Sequence, residues 1–248
     1  ADDAKHKTWT LKEGVVKING INPQPGDVKF KDLRQDGVIN AGDNTVDNPG
    51  DRKIIGNDAA RYQFGASLGA AYKGLNLEVL LQGVGKRDYW LGGAAMFPFG
   101  GAGAGDAVFQ ALYANQTDYW RAKSYDPTSS DYMVPVNADS KLFRIYDQGN
   151  NVGSNTRVSD KYLQNAAYLR IKNITLSYTL PKDWVQRAFL QDAKFYLSIE
   201  NLATITSLPE GYDPEGRAAS TTANALSNGI SWGYPYYRTI SLGASITF

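Results

Sequence analysis

Asp32, Asp36, Asn40 and Asp43 stand at the first, fifth, ninth and twelfth positions of one short stretch, with Gly37 at the sixth. Hard oxygen donors at alternating positions, a glycine for the sharp turn and a closing acid are what a calcium loop needs, and the Val38 carbonyl would serve as a main-chain ligand. Arg34, at the third position, puts a cation where another side-chain oxygen belongs. It favours the competing reading, a turn held by Asx hydrogen bonds. Asp213 and Glu215 imitate the paired carboxylates of a glycosidase, but Gly211, Tyr212, Pro214 and Gly216 around them read as a loop turn. One histidine, His6 in a polar stretch, and no cysteine leave no Ser/His/Asp or Cys/His set to assemble. The runs Gly92-Gly93-Ala94-Ala95 and Gly100 to Gly105 lack the Lys-Ser/Thr ending of a phosphate cradle and read as flexible loop. These residues do not make an enzyme.

Aromatics are the other candidates: the chain carries 16 Tyr and 5 Trp against 2 Met. Tyr119, Trp120, Tyr125 and Trp232, with Tyr113, Tyr132 and Tyr234 nearby, suit stacking on a substrate or contact with a covering partner. They suit packing of loops equally well. Tyr236 and Tyr237, just before the last strand, read as bilayer-interface residues.

The elements that must position these residues are strands. In Arg61 to Lys73 the even positions Tyr62, Phe64, Ala66, Leu68, Ala70 and Tyr72 are apolar, and the odd ones are polar or small. A Lys73-Gly74 turn leads into Leu75, Leu77, Val79 and Leu81, alternating with Asn76, Glu78, Leu80 and Gln82, which makes a hairpin. Tyr168 to Leu180 changes parity: Leu169 and Ile171 lie on one phase, Ile174, Leu176, Tyr178 and Leu180 on the other. Either a bulge near Lys172-Asn173 restores the face or the upper part projects beyond the membrane. Pro181 to Asp192, with Trp184, Phe189 and Leu190, reads as a short amphipathic helical turn before a strand over Ala193 to Ala203. The final strand puts Ile240, Leu242, Ala244, Ile246 and Phe248 on one face and Ser241, Gly243, Ser245 and Thr247 on the other. An apolar-out, polar-in strand with a terminal Phe is the pattern of an outer-membrane β-barrel, and those five apolar residues are its candidate assembly signal.

Charge and length agree with that class. The net charge of +1 gives no electrostatic case for nucleic acid, and no stretch approaches the roughly 18 apolar residues of a spanning helix. Short links (Lys73-Gly74, Pro181 to Asp192) alternate with long ones (Asp88 to Ala166, Thr204 to Tyr234), as where one rim faces the periplasm and the other carries external loops. The expected fold is all-β: antiparallel C-terminal strands of a large outer-membrane barrel, with residues 1–60 an extracellular loop region and 61–248 strands and loops. Five strands cannot close a barrel, so the rest of the wall is expected from elsewhere.

Several ordered motifs carry a family resemblance. Pro25-Gly26-Asp27-Val28-Lys29-Phe30-Lys31-Asp32, Asp36-Gly37-Val38-Ile39 and Ile54-Ile55-Gly56 come first. Tyr168 to Pro181, Asn201-Leu202, Thr204-Ile205-Thr206, Gly211-Tyr212-Asp213-Pro214-Glu215, Tyr234-Pro235 and Arg238-Thr239 follow. Together they resemble SusC/RagA-like TonB-dependent transporters, from about residue 25 to the end. The resemblance implies the C-terminal part of an about 22-stranded barrel whose plug and upstream strands lie outside this sequence. It further implies a SusD-like surface lipoprotein as lid, the TonB complex as motor, and oligosaccharides or peptides as cargo. Two other classes stay open: an outer-membrane structural or adhesive β-protein, and a soluble carbohydrate-binding β-sandwich whose apolar faces meet a second sheet. Deleting Phe248 is expected to lower the amount of assembled protein in the membrane more than the transport per assembled molecule. Surface quantification beside uptake checks this, and unchanged surface levels would remove the assembly role.

Overall fold

The computed structural model describes residues 15–90, 96–97, 112, 114–146, 150–215 and 236–248, without the side chains of 150–152. In chain order the elements are β1 (Lys17–Ile18), β2 (Val38–Ile39), β3 (Arg61–Tyr72), β4 (Leu75–Lys86), β5 (Asp88–Trp90), α1 (Asn150–Asn155), β6 (Leu163–Asn165), β7 (Tyr168–Thr179), α2 (Lys182–Arg187), β8 (Asp192–Thr206) and β9 (Thr239–Thr247). The described residues fall into two units, one of 15–55 with those of 90–162, the other of 56–89, 163–215 and 236–248.

The second unit is an antiparallel sheet in the order β3-β4-β7-β8-β9. Its register turns the period-2 alternation of each strand into rows that cross the whole sheet. Leu68, Val79, Ile174, Ile199 and Ile240 are successive cross-strand partners, and Ala70, Leu77, Leu176, Leu197 and Leu242 form the next row on that face. The row between them, on the other face, is Gly69, Glu78, Thr175, Ser198 and Ser241. Slipping any strand by one residue would put a carboxylate or hydroxyl into the apolar rows, so the pattern fixes the register. The apolar face is open: Leu242 is 82% exposed, Ile240 64% and Leu68 57%. From Phe64 to Tyr72 a strand climbs roughly 27 Å at about 3.4 Å per residue, which a tilt of about 40° projects to roughly 21 Å, close to the outward apolar band of a membrane barrel.

Aromatics collect at the end of this band that carries the short links. Tyr72, Tyr178 and Phe195 share one row with Leu75 and Ala244, and all three rings are exposed. Trp184 and Phe189 beside them are 61% and 93% exposed. The helical turn expected there is α2, but its inward residue is Val185, which is fully buried, and not Trp184 or Phe189. Of the bulky groups here the six-residue α2 buries Val185, and Trp184 with Phe189 just beyond it faces outward as a girdle does.

The parity change in β7 is a bulge. Lys172 is the unpaired residue between the Leu80–Asn173 and Leu81–Ile171 partners, so Leu169 and Ile171 return to the apolar face. At the same height β8 sets Asn201 and Leu202 against that single position. Asn201 takes φ 51°, a left-handed conformation that Asn tolerates, and its Nδ2 donates to the Tyr237 carbonyl at 3.1 Å, tying β8 to the approach of β9. Strands β4 and β8 run to Lys86 and Thr206, beyond their expected ends.

On the polar face the Tyr196 ring lies across Gly243, its partner on β9, where an added Cβ would collide with the ring. Gly243→Val is therefore expected to destabilise the sheet by roughly 1–3 kcal/mol. The urea midpoint of the intact protein in detergent measures this, and Tyr196→Ala in the same chain should recover most of the loss.

Candidate functional site

Bulge, register and loop bring four charged residues together on the polar face. Arg170 sits in the row Gly65, Gln82, Arg170, Thr204, and Lys172 occupies the bulge. Arg170 Nε donates to Thr204 Oγ1 at 2.8 Å, Nη2 to Asp213 Oδ1 at 2.6 Å and Nη1 to Glu215 Oε2 at 3.1 Å. Lys172 Nζ meets the same Glu215 oxygen at 2.7 Å. Asp213 in turn accepts the backbone N–H of Glu215 and, through Oδ2, that of Tyr236. Arg170 is 2% exposed and Pro214 is among the most deeply buried side chains. A guanidinium offers five N–H donors in a fixed fork, which is why Arg rather than Lys stands at the centre.

These contacts define what Asp213 and Glu215 do. Burial raises the Asp213 carboxyl, but the two backbone N–H groups and the Arg170 guanidinium outweigh it and hold the group below the usual carboxylate range. A general acid needs the opposite displacement. The pair is a clamp that pins the segment after β8 to the polar wall. The Tyr236 ring lies 5.2 Å from Arg170 Cζ and 4.8 Å from Lys172 Nζ, so it covers these cations, a contact the sequence did not suggest. A polar recess of about 460 Å³ nearby is lined by Gln63, Gln82, Arg87, Tyr168 and Glu215 among others.

The other unit holds the calcium-like loop. Asp32 accepts the Gln35 and Gly37 N–H groups, Asp36 the Val38 N–H, and Asn40 Oδ1 the Gly42 N–H. Asp51, which the spacing did not single out, accepts N–H groups from Leu33, Arg34 and Asn40. Burial opposes its charge, but those three donors and the Arg34 guanidinium keep its carboxyl below the ordinary range. Asp32, Asp36 and Asp51 have oxygens within 4.8 Å of one another; Asp43 is outside this group and accepts from Asn48 Nδ2 at 2.8 Å. As arranged, the donors do not fit a divalent ion, because Arg34 stands among them.

The same unit explains the Pro25-Gly26-Asp27-Val28 motif. Asp27 Oδ1 accepts from Tyr146 Oη at 2.7 Å and Asn155 Nδ2 at 2.8 Å, and Asn155 Oδ1 accepts the Val28 N–H at 2.7 Å. Tyr146 and Asn155 lie more than a hundred residues downstream, with no local signal to mark them. Gly26, at φ +90°, lets the Trp120 ring lie directly on the backbone. Trp120 is buried with Ala122 and Met133, and Tyr132 packs against them. Tyr119 is half-buried, and Tyr125 is 51% exposed with its Oη accepting the Ala122 N–H. Trp120 also forms one wall of a cavity of about 510 Å³, with Lys29, Lys31, Phe143, Asp160 and Lys161 on others. Trp232, Tyr113, Tyr234, His6 and both glycine runs lie outside the described residues.

Among the described residues the class is mostly antiparallel β: a five-stranded sheet with one exposed apolar face and a polar face on which one segment is clamped. No family model matches the chain. It is 27% identical over 95% of its length to TonB-dependent receptor P3 of Formosa agariphila, and 23% identical over 97% to TonB-dependent receptor P26 of the same organism. The chain spans about a fifth of the length of these relatives, 20% and 22%. A solved RagAB peptide importer in its closed-closed state aligns over 82% of this chain and 19% of its own, at 23% identity and TM-score 0.48. The open-open state aligns over 75% and 17%, at 22% identity and TM-score 0.44. The two receptors support the resemblance to SusC/RagA-like TonB-dependent transporters that the motifs carry.

Removing Arg170 leaves the buried Asp213 carboxylate without its cation and Glu215 with Lys172 alone, at a cost of roughly 3–5 kcal/mol. Arg170→Met is expected to raise hydrogen exchange across Tyr212–Glu215 and to leave that of β3 unchanged. The pH dependence has a definite sign: the Asp213 carboxyl is held below the usual carboxylate range, so the clamp is intact above that range and weakens as acid protonates the group. Exchange of the same segment between about pH 6 and pH 3 measures it.

Proposed function

We propose that this chain is the C-terminal barrel wall and external-loop portion of a TonB-dependent outer-membrane importer. The observation that carries the reading is the pair of apolar rows crossing all five strands with their side chains open to the surroundings. In water each such Leu or Ile would forgo roughly 1.5–3 kcal/mol of burial, and lipid supplies it. Similarity to two TonB-dependent receptors along nearly the whole chain supports the same reading. The edge strands β3 and β9 are paired, in this proposal, by the rest of a roughly 22-stranded barrel, which also supplies the plug.

Cargo is an oligosaccharide or a peptide, enclosed under a SusD-like surface lipoprotein and released inward when the TonB complex pulls on the plug. The outer membrane is the site of action, with the long loops outside. Tyr119, Trp120, Tyr125 and Trp232 belong to those loops as candidate contacts for cargo or lid. In this reading the polar face lines the passage, and the Arg170 clamp keeps one loop seated on it. Leu68, Leu242 and Ile246 are all exposed, which supports lipid contact over a sandwich core.

Affinity purification of the intact protein from native membranes, with uptake measured in cells with and without TonB, tests the proposal. A co-purifying surface lipoprotein and loss of uptake without TonB are expected. Normal adhesion with no TonB-dependent uptake of any glycan or peptide would replace the importer by the structural alternative.

A further inference from the structure

Between Asp32 and Asp51 the loop gathers oxygen atoms that need a positive charge, and it already holds one. Arg34 Nη2 lies 3.0 Å from Asp36 Oδ2, donates to Asn40 Oδ1 at 3.1 Å and stands 4.0 Å from Asp51 Oδ2. Its Nη1 reaches Asn48 Oδ1 at 3.5 Å. Four side chains, from the start, middle and end of the loop, thus converge on one guanidinium. We propose that Arg34 is the resident cation of this loop, taking the place in which oxygen ligands would otherwise gather a divalent ion, so that the loop folds independently of calcium.

The chemistry of the two cations makes them exclusive. Calcium takes six to eight oxygens at about 2.3–2.6 Å from any geometry that supplies them. A guanidinium takes fewer, at about 2.7–3.2 Å, through fixed N–H directions, and its charge cannot be titrated away. Here the guanidinium joins oxygens that the backbone already orients. Both Asp32 oxygens and both Asp51 oxygens accept backbone N–H groups, and Asp43 turns to Asn48. A second cation, Arg52, donates to the Ala41 carbonyl at 3.0 Å, so an incoming ion would meet two fixed positive charges. Asp51 is the organiser that survives without metal: its side chain is 1% exposed and it ties Leu33 and Arg34 to Asn40 across the loop.

Hydrogen exchange of residues 32–51 in the intact, detergent-purified protein tests this, because the readout is local to the loop. Wild-type protection should be the same, within about twofold, in excess EDTA and in about 2 mM calcium chloride. Arg34→Asn removes the cation and offers a neutral oxygen; it should exchange at least tenfold faster in EDTA and regain protection when calcium is added. Wild-type protection that collapses in EDTA would overturn the proposal, since the resident cation would then be a metal. Arg34→Asn protection equal to wild type in EDTA would overturn it as well, since the guanidinium would then hold nothing. Failure of calcium to protect Arg34→Asn would show that Arg34 does not stand at an ion's position, and would also count against it.

Discussion

Hydrocarbon offers no hydrogen bonds, so a strand that enters it must find every backbone partner in its neighbours and must turn only apolar groups outward. In the proposed barrel wall, most of what this sheet does follows from that one constraint. Strands β4, β7 and β8 are paired on both sides. Their outward residues fall into continuous rows because each strand keeps the same alternation, and the pairing aligns the alternations. The bulge at Lys172 and the left-handed Asn201 belong to the same account, since without them the upper halves of β7 and β8 would turn the wrong face outward.

The other face obeys a different rule. There polar groups are welcome, and the chain uses them to make local order: Thr175, Asn173 and Ser198 bond to one another across β7 and β8, and Arg170 with Lys172 receives the Asp213-Pro214-Glu215 segment. A buried ion pair contributes little net stability over an apolar contact of equal size, but it is costly to separate. It therefore suits a loop that must stay seated at one place on a wall otherwise lined by interchangeable polar groups.

Two arginines solve two versions of one electrostatic problem. Arg170 neutralises acids brought to it from a later segment; Arg34 neutralises acids within its own loop. In both cases Asp carboxylates hold backbone N–H groups as well as the guanidinium. The acid clusters that looked like chemistry in the sequence, a hydrolytic pair and a metal loop, are thereby engaged in holding the chain in shape.

The sequence alone determined the strands and their faces, because alternation at period two is a local property that each strand states for itself. It marked the hairpin at Lys73-Gly74, the parity change in Tyr168 to Leu180 and the motifs that resemble a transporter family, and left a bulge near Lys172-Asn173 as one of two explanations for that change. It did not reveal that Tyr236 covers Arg170 and Lys172, that Val185 is the inward residue of α2, or that Asp27 meets Tyr146 and Asn155. Nor did it single out Asp51 over Asp43. Those are pairings between residues far apart in the chain or across an irregular turn, where no period links the partners. Only the tertiary structure decided them, because the energy of a charge or a buried ring depends on what stands next to it in space and not on what precedes it in sequence.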